Sequence, residues 1–61
     1  MLVPINRLNP GDTFIELDPD PRLDLNFTVQ KRDFEGNIIA EDEFGYKFSF
    51  PPTKIVRVRR L

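Results

Sequence analysis

The chain contains no cysteine, no histidine and no tryptophan. Without thiols there is no disulfide framework and no thiolate metal site. Without imidazole, Ser-His and Cys-His nucleophilic catalysis is excluded as well. Small secreted domains usually depend on disulfides, so the missing cysteine points to a cytoplasmic setting. Long apolar runs are also missing, and nothing approaches the roughly 20 residues of a membrane-spanning helix. The stretch Met1 to Arg7 is broken by Pro4 and has neither a basic lead nor a small-residue cleavage site. It is not expected to act as a signal peptide.

Helix signals are sparse too. Six prolines and three glycines punctuate the 61 residues, and the apolar spacing runs at two rather than at 3.6. What is present is a globular composition, 39% hydrophobic and 31% charged, short enough for a single domain over residues 1–61. Burying about two thirds of the large apolar side chains, at roughly 1.5–3 kcal/mol each, would offset much of the chain entropy. The margin is small, and a homodimer sharing an edge strand would widen it.

Strict alternation marks two half-buried strands. In Asp24 to Lys31, Leu25, Phe27 and Val29 oppose Asn26, Thr28 and Gln30; in Gly45 to Phe50, Tyr46, Phe48 and Phe50 oppose Lys47 and Ser49. Turn chemistry bounds the others. Asn9-Pro-Gly-Asp12 predicts a turn leading into a strand from Thr13 to Asp18, whose facing is ambiguous because Phe14 and Ile15 are adjacent. Asp33 to Asn37 reads as a hairpin loop leading into Ile38 to Asp42, and Glu43 to Gly45 as a tighter one. Pro51-Pro52 predicts a short 3₁₀ turn before a strand from Ile55 to Arg59. A sixth strand is expected near Leu2 to Ile5.

A long loop after the first of five short strands, two hairpins and a Pro-rich single turn before the last strand make the order of an SH3-like barrel. The segment Leu8-Asn-Pro-Gly-Asp-Thr-Phe14, with the later Gly45-Tyr-Lys-Phe48 and Ile55-Val-Arg-Val58, resembles small SH3-like β-barrels encoded in bacteria and phages. These open with Leu, a spacer, Gly-Asp and an apolar strand. The resemblance covers most of the chain and implies an all-β fold: a five- to six-stranded antiparallel barrel. Such barrels serve ribosomal, nucleic-acid-binding, peptide-binding and inhibitory proteins alike, so function must come from particular residues. With no tryptophan and no paired tyrosines, a shelf for polyproline ligands is not expected.

Charge is distributed unevenly. Residues 1–50 carry all 10 acidic residues against five basic ones, while residues 51–61 carry Lys54, Arg57, Arg59 and Arg60 and no acid. In the last strand the period puts Val56 and Val58 inward and Arg57 and Arg59 outward, about 7 Å apart along one face. Two readings are open for them: contacts to phosphates or carboxylates, or the ordinary charging of an edge strand against aggregation, favoured about two to one. The acids fall into two groups, Asp18, Asp20 and Asp24 in the long loop and Glu41, Asp42 and Glu43 before the second hairpin. The loop lacks the glycine and the closing glutamate of a calcium site, so no metal or other cofactor is expected. The carboxylates serve either to solvate the chain or as a negative surface for a basic partner.

Phe34 and Phe44 lie in the hairpin loops, each among acids. They are candidate anchors for a protein partner. The alternative is that they fold back to plug the ends of the barrel, a reading that suits Phe44, beside Gly45, better than Phe34.

The resulting expectation is a non-enzymatic binding module, bacterial or phage-encoded, acting as adaptor or inhibitor on a larger protein, as a monomer or weak homodimer. Its candidate residues are Phe34, Phe44 and the two acidic groups. The second reading is nucleic-acid binding through the sheet, with Tyr46, Phe48 or Phe34 stacking on bases and Lys47, Lys54, Arg57, Arg59 and Arg60 on phosphates, against which stands a net charge of −1. A third is an assembly subunit that pairs through a strand edge.

Overall fold

The computed structural model describes residues 1–16 and 25–58. Six strands form one antiparallel sheet: β1 (Leu2–Pro4), β2 (Thr13–Glu16), β3 (Asn26–Arg32), β4 (Ile38–Glu41), β5 (Lys47–Phe50) and β6 (Ile55–Arg57). Their spatial order is β1-β6-β2-β3-β4-β5. The expected all-β antiparallel fold is present, with the extra strand at the N-terminus. Asp18 and Arg59, placed in strands by the alternation, lie outside the described residues.

The sheet is not closed into a barrel, contrary to expectation. Among the described residues β1 and β5 are its edges. The reason is legible at β1, which ends after three residues. Pro4 has no N–H to offer a further ladder, and Ile5–Arg7 turns into a 3₁₀ helix. This is the 3₁₀ segment of the described chain. The stretch before the last strand, where Pro51-Pro52 predicted one, is a single turn in which the Lys54 N–H donates to the Pro51 carbonyl at 3.1 Å. One such bond closes a turn without starting a helix.

The alternation rule assigns the inner face correctly where strands are central. Phe27 and Val29 of β3, Ile38 and Ala40 of β4, and Val56 of β6 are buried together with Phe14, Phe50 and Val58. Ile5 and Leu8, from the 3₁₀ segment and its exit, complete this core. Its centre is aromatic. Phe14 stacks on Phe27 with centroids 5.3 Å apart, and Phe50 meets both rings edge-on at 5.6 and 5.5 Å. Offset stacks and edge contacts at these separations are the arrangements that the ring quadrupoles favour.

Strand β2 resolves the Phe14/Ile15 ambiguity by burying both. Phe14 enters the aromatic core, while Ile15, on the other face, is flanked across the ladder by Asn26 and Arg57 and is also buried. Between Val29 and Lys31 the β3–β4 register slips by one, leaving Gln30 as an extra residue. Such a bulge sharpens the local twist. It also puts Arg32 opposite Ile38, from where its guanidinium donates to the carbonyls of Asn6 and, at 3.4 Å, Leu8. The 3₁₀ segment is thereby tied to the far end of β3.

Strand β6 is interior rather than an edge, because Leu2–Pro4 adds to its outer side. At its entrance Lys54 Nζ lies 3.1 Å from Glu16 Oε1 and 5.9 Å from the Phe50 ring centroid. Both partners of the ion pair are about a third exposed, so solvent screens them strongly. Glu16→Gln is expected to lower stability by less than about 1 kcal/mol, with the difference shrinking in high salt, as checked by urea unfolding at two ionic strengths.

Candidate functional site

Both hairpins are built on one device. In the first, Asp33 Oδ1 accepts from the N–H groups of Glu35 and Asn37, each at 2.9 Å, and Gly36 donates back to the Asp33 carbonyl at 3.1 Å. In the second, Asp42 Oδ1 accepts from Phe44 and Tyr46 at 2.9 Å, and Gly45 donates to the Asp42 carbonyl at 3.3 Å. Gly36 and Gly45 both have φ of +88°, a left-handed conformation that a side chain disfavours. The pattern is Asp-x-x-Gly-x in each case, with the two loops equal in length. The second is not tighter than the first, as the sequence had suggested, because the aspartate at the loop base, not the tip residues, sets the span.

This device decides what the tip residues can do. The backbone of each loop is held by its own aspartate and glycine, so the remaining side chains need not fold inward. Phe34 is 98% exposed and Phe44 is 72% exposed. The alternative in which these rings fold back to plug the interior is therefore not realised. The core at that place is filled by the Phe14, Phe27 and Phe50 rings, with Phe48 edge-on to Phe27 at 5.7 Å.

The two phenylalanines do not converge. One hairpin precedes β4 and the other follows it, and the five residue steps from Asn37 to Asp42 span about 17 Å at ~3.4 Å each. Phe34 stands alone at one turn between Asp33 and Glu35. Phe44 is followed along the chain by two further exposed rings, Tyr46 at 67% and Phe48 at 44%. Alternation placed these two on the core face, and they do share the side of Phe50, but among the described residues no strand lies beyond β5 to cover them.

The acidic candidates separate by role. Asp42 is engaged in the turn. Glu41 lies on β4 directly across from Lys47. Glu43 is exposed and accepts from the Asn26 side-chain amide at 3.2 Å, which ties the second hairpin to the start of β3. Asp18, Asp20 and Asp24 lie outside the described residues. Of the basic candidates, Lys54 is paired with Glu16. Lys47 and Arg57 are exposed but on strands separated by three others in the sheet. Arg59 and Arg60 lie outside the described residues.

Alternation put Tyr46 and Phe48 on the core face, although the nucleic-acid reading named both as base-stacking rings; they are exposed and half-exposed. A signal was present, since Pro51-Pro52 directly after Phe50 marks a strand whose pairing ends abruptly. Comparison of the chain with protein-family models, with curated proteins and with solved structures gave no match.

Proposed function

We propose that this chain is a non-enzymatic, cytoplasmic protein-binding module of bacterial or phage origin, with an SH3-like strand succession, that acts on a larger protein as adaptor or inhibitor. The observation that carries the reading is the pair of nearly free phenylalanines on hairpins whose backbones are fixed by their own aspartates. A rigid loop loses little entropy when its tip enters a pocket, so an exposed aromatic there converts a large share of its buried area into affinity. The carboxylates of Glu35 and Glu43 stand beside these tips in sequence. They favour a partner whose apolar pockets are rimmed by lysine or arginine. The succession of β2 to β6, with a long connection, two hairpins and one turn before the last strand, supports the SH3-like reading.

The nucleic-acid reading is less favoured. Lys54 is already paired with a carboxylate, and Lys47 has Glu41 across the strand. The separation of Phe34 from Phe44 means that a partner touching both must span the length of β4. In affinity capture from host lysate, with and without nuclease, Phe34→Ala and Phe44→Ala are each expected to weaken recovery of a protein partner at least about tenfold if they are anchor residues. Recovery unchanged in the double variant, or lost on nuclease treatment, would overturn the proposal.

A further inference from the structure

The two edges of the sheet are not equivalent. At β1 the backbone bonds Ile5 N–H to Lys54 O and Val58 N–H to Met1 O put residues 1, 3 and 5 toward β6. That turns only Leu2 and Pro4 outward. Pro4 has no N–H, so this edge offers a single donor and ends in a 3₁₀ turn. It is blunted in the way natural edges usually are.

Strand β5 is not blunted in this way. The Asp42 N–H donates to the Tyr46 carbonyl, and with the register Ala40↔Phe48 and Ile38↔Phe50 this directs residues 46, 48 and 50 toward β4. Lys47 and Ser49 therefore present both their N–H and C=O groups outward. Among the described residues no strand pairs with them. Beside this open edge stand the exposed rings of Tyr46 and Phe48.

Only one antiparallel register satisfies all of these groups at once when the edge meets a copy of itself. Lys47 opposite the second Lys47 makes one hydrogen-bonded pair and sets two ammonium groups face to face. Ser49 opposite the second Ser49 brings Lys47 against Pro51, which lacks an N–H. Lys47 opposite the second copy's Ser49 makes two such pairs and four hydrogen bonds. It places Phe48 against Phe48 on the two-fold axis and Tyr46 against Phe50 on either side. No like charges then stand directly opposite each other, and each Lys47 keeps Glu41 as its neighbour on β4. The residue pattern of the edge is complementary to itself, which is what an isologous interface requires.

We infer that β5 is a homodimerisation edge, through which two copies join antiparallel about Phe48 into one continuous sheet. The joint is only four residues long, so the association is weak and reversible. It does not rest on the proposed function: Phe34 plays no part in it, and the purified protein alone provides the readout.

The test is sedimentation equilibrium of the full chain up to about 1 mM, with Ser49→Glu and Ser49→Lys. Ser49 is exposed and its backbone faces away from β4, so neither variant disturbs the monomer, as circular dichroism will verify. Ser49→Glu sets a carboxylate against the second copy's Lys47 twice per dimer, and Ser49→Lys sets an ammonium there. The dimer should tighten in the first and weaken in the second, each by about 2- to 30-fold. Because the chain has no native thiol, Phe48→Cys should also cross-link to a disulfide dimer under mild oxidation faster than Phe34→Cys. The closest antiparallel pairs hold Cα atoms ~4.5 Å apart, within reach of that bond. A monomer at every concentration, equal shifts for the two Ser49 variants, or no preference for cross-linking at residue 48 would each overturn the inference.

Discussion

Phe14→Ala is expected to leave a large part of the population unfolded in water at room temperature. Phe14 is 1% exposed and its ring stacks on Phe27 and meets Phe50 edge-on. Truncating a buried phenylalanine to alanine costs about 3–5 kcal/mol, through lost transfer energy and the cavity left behind. A chain of this length has roughly 3–9 kcal/mol of total stability at about 0.05–0.15 kcal/mol per residue. The loss is thus comparable with the whole margin, and near-ultraviolet circular dichroism with urea titration will show a transition shifted sharply down or absent. Neighbouring rings cannot close the gap, because Phe27 is fixed on β3 between β2 and β4, and Phe50 is held opposite Ile38 of β4. Phe34→Ala provides the contrast within the same protein. The same atoms are removed from a nearly free side chain, and stability should change by no more than about 0.5 kcal/mol. A cooperative transition in Phe14→Ala close to that of the parent would refute the account of the core.

The second large effect belongs to the two loop aspartates. Asp33→Ala and Asp42→Ala each remove a carboxylate oxygen that accepts two backbone N–H groups. Water can reach the freed amides, so the cost per site is that of losing a helix cap, about 0.5–2 kcal/mol. The turns lie at opposite ends of β4, so the two losses should add to about 1–4 kcal/mol. Asparagine at either position keeps an oxygen acceptor and should recover much of the loss. Hydrogen exchange offers a local check: the amides of Glu35 and Asn37 should lose protection in Asp33→Ala, and those of Phe44 and Tyr46 in Asp42→Ala. Unchanged exchange in either pair would show that the glycines alone hold the loops. The consequence reaches the surface as well, because Phe34 and Phe44 are presented outward only while these turns stay formed.

How much of this could be read beforehand depends on the range of the interactions. The strands at 26–32 and 47–50, the inward Phe27, Val29 and Phe50, the turns at Gly11, Gly36 and Gly45 and the inward Val56 and Val58 follow from contacts within a few residues, and each is present as expected, whereas Tyr46 and Phe48 are exposed. The Asp-x-x-Gly-x repeat was also in plain view, although its identical geometry in both loops was not drawn from the sequence. The fate of β2 could not be read, since burying both Phe14 and Ile15 requires a strand covered on two faces. The closed barrel failed because Pro4 and the 3₁₀ turn end β1 after three residues, a limit that the order of strands alone does not show. The plug alternative for Phe44 could not be set aside beforehand, because the occupancy of the interior by Phe14, Phe27 and Phe50 emerges only when three strands are assembled.

By itself, then, the sequence determined the all-β class, the turn positions and the exclusion of thiol and imidazole chemistry, because backbone sterics, side-chain alternation and composition are local properties. The tertiary structure alone decided which strands became edges, which aromatics were left outside and which basic groups found a carboxylate. Each of these depends on non-local pairing: Leu2–Pro4 docking on β6 makes β6 interior, Glu16 meets Lys54 across the sheet, and β5, last in the order, keeps Lys47 and Ser49 unpaired among the described residues.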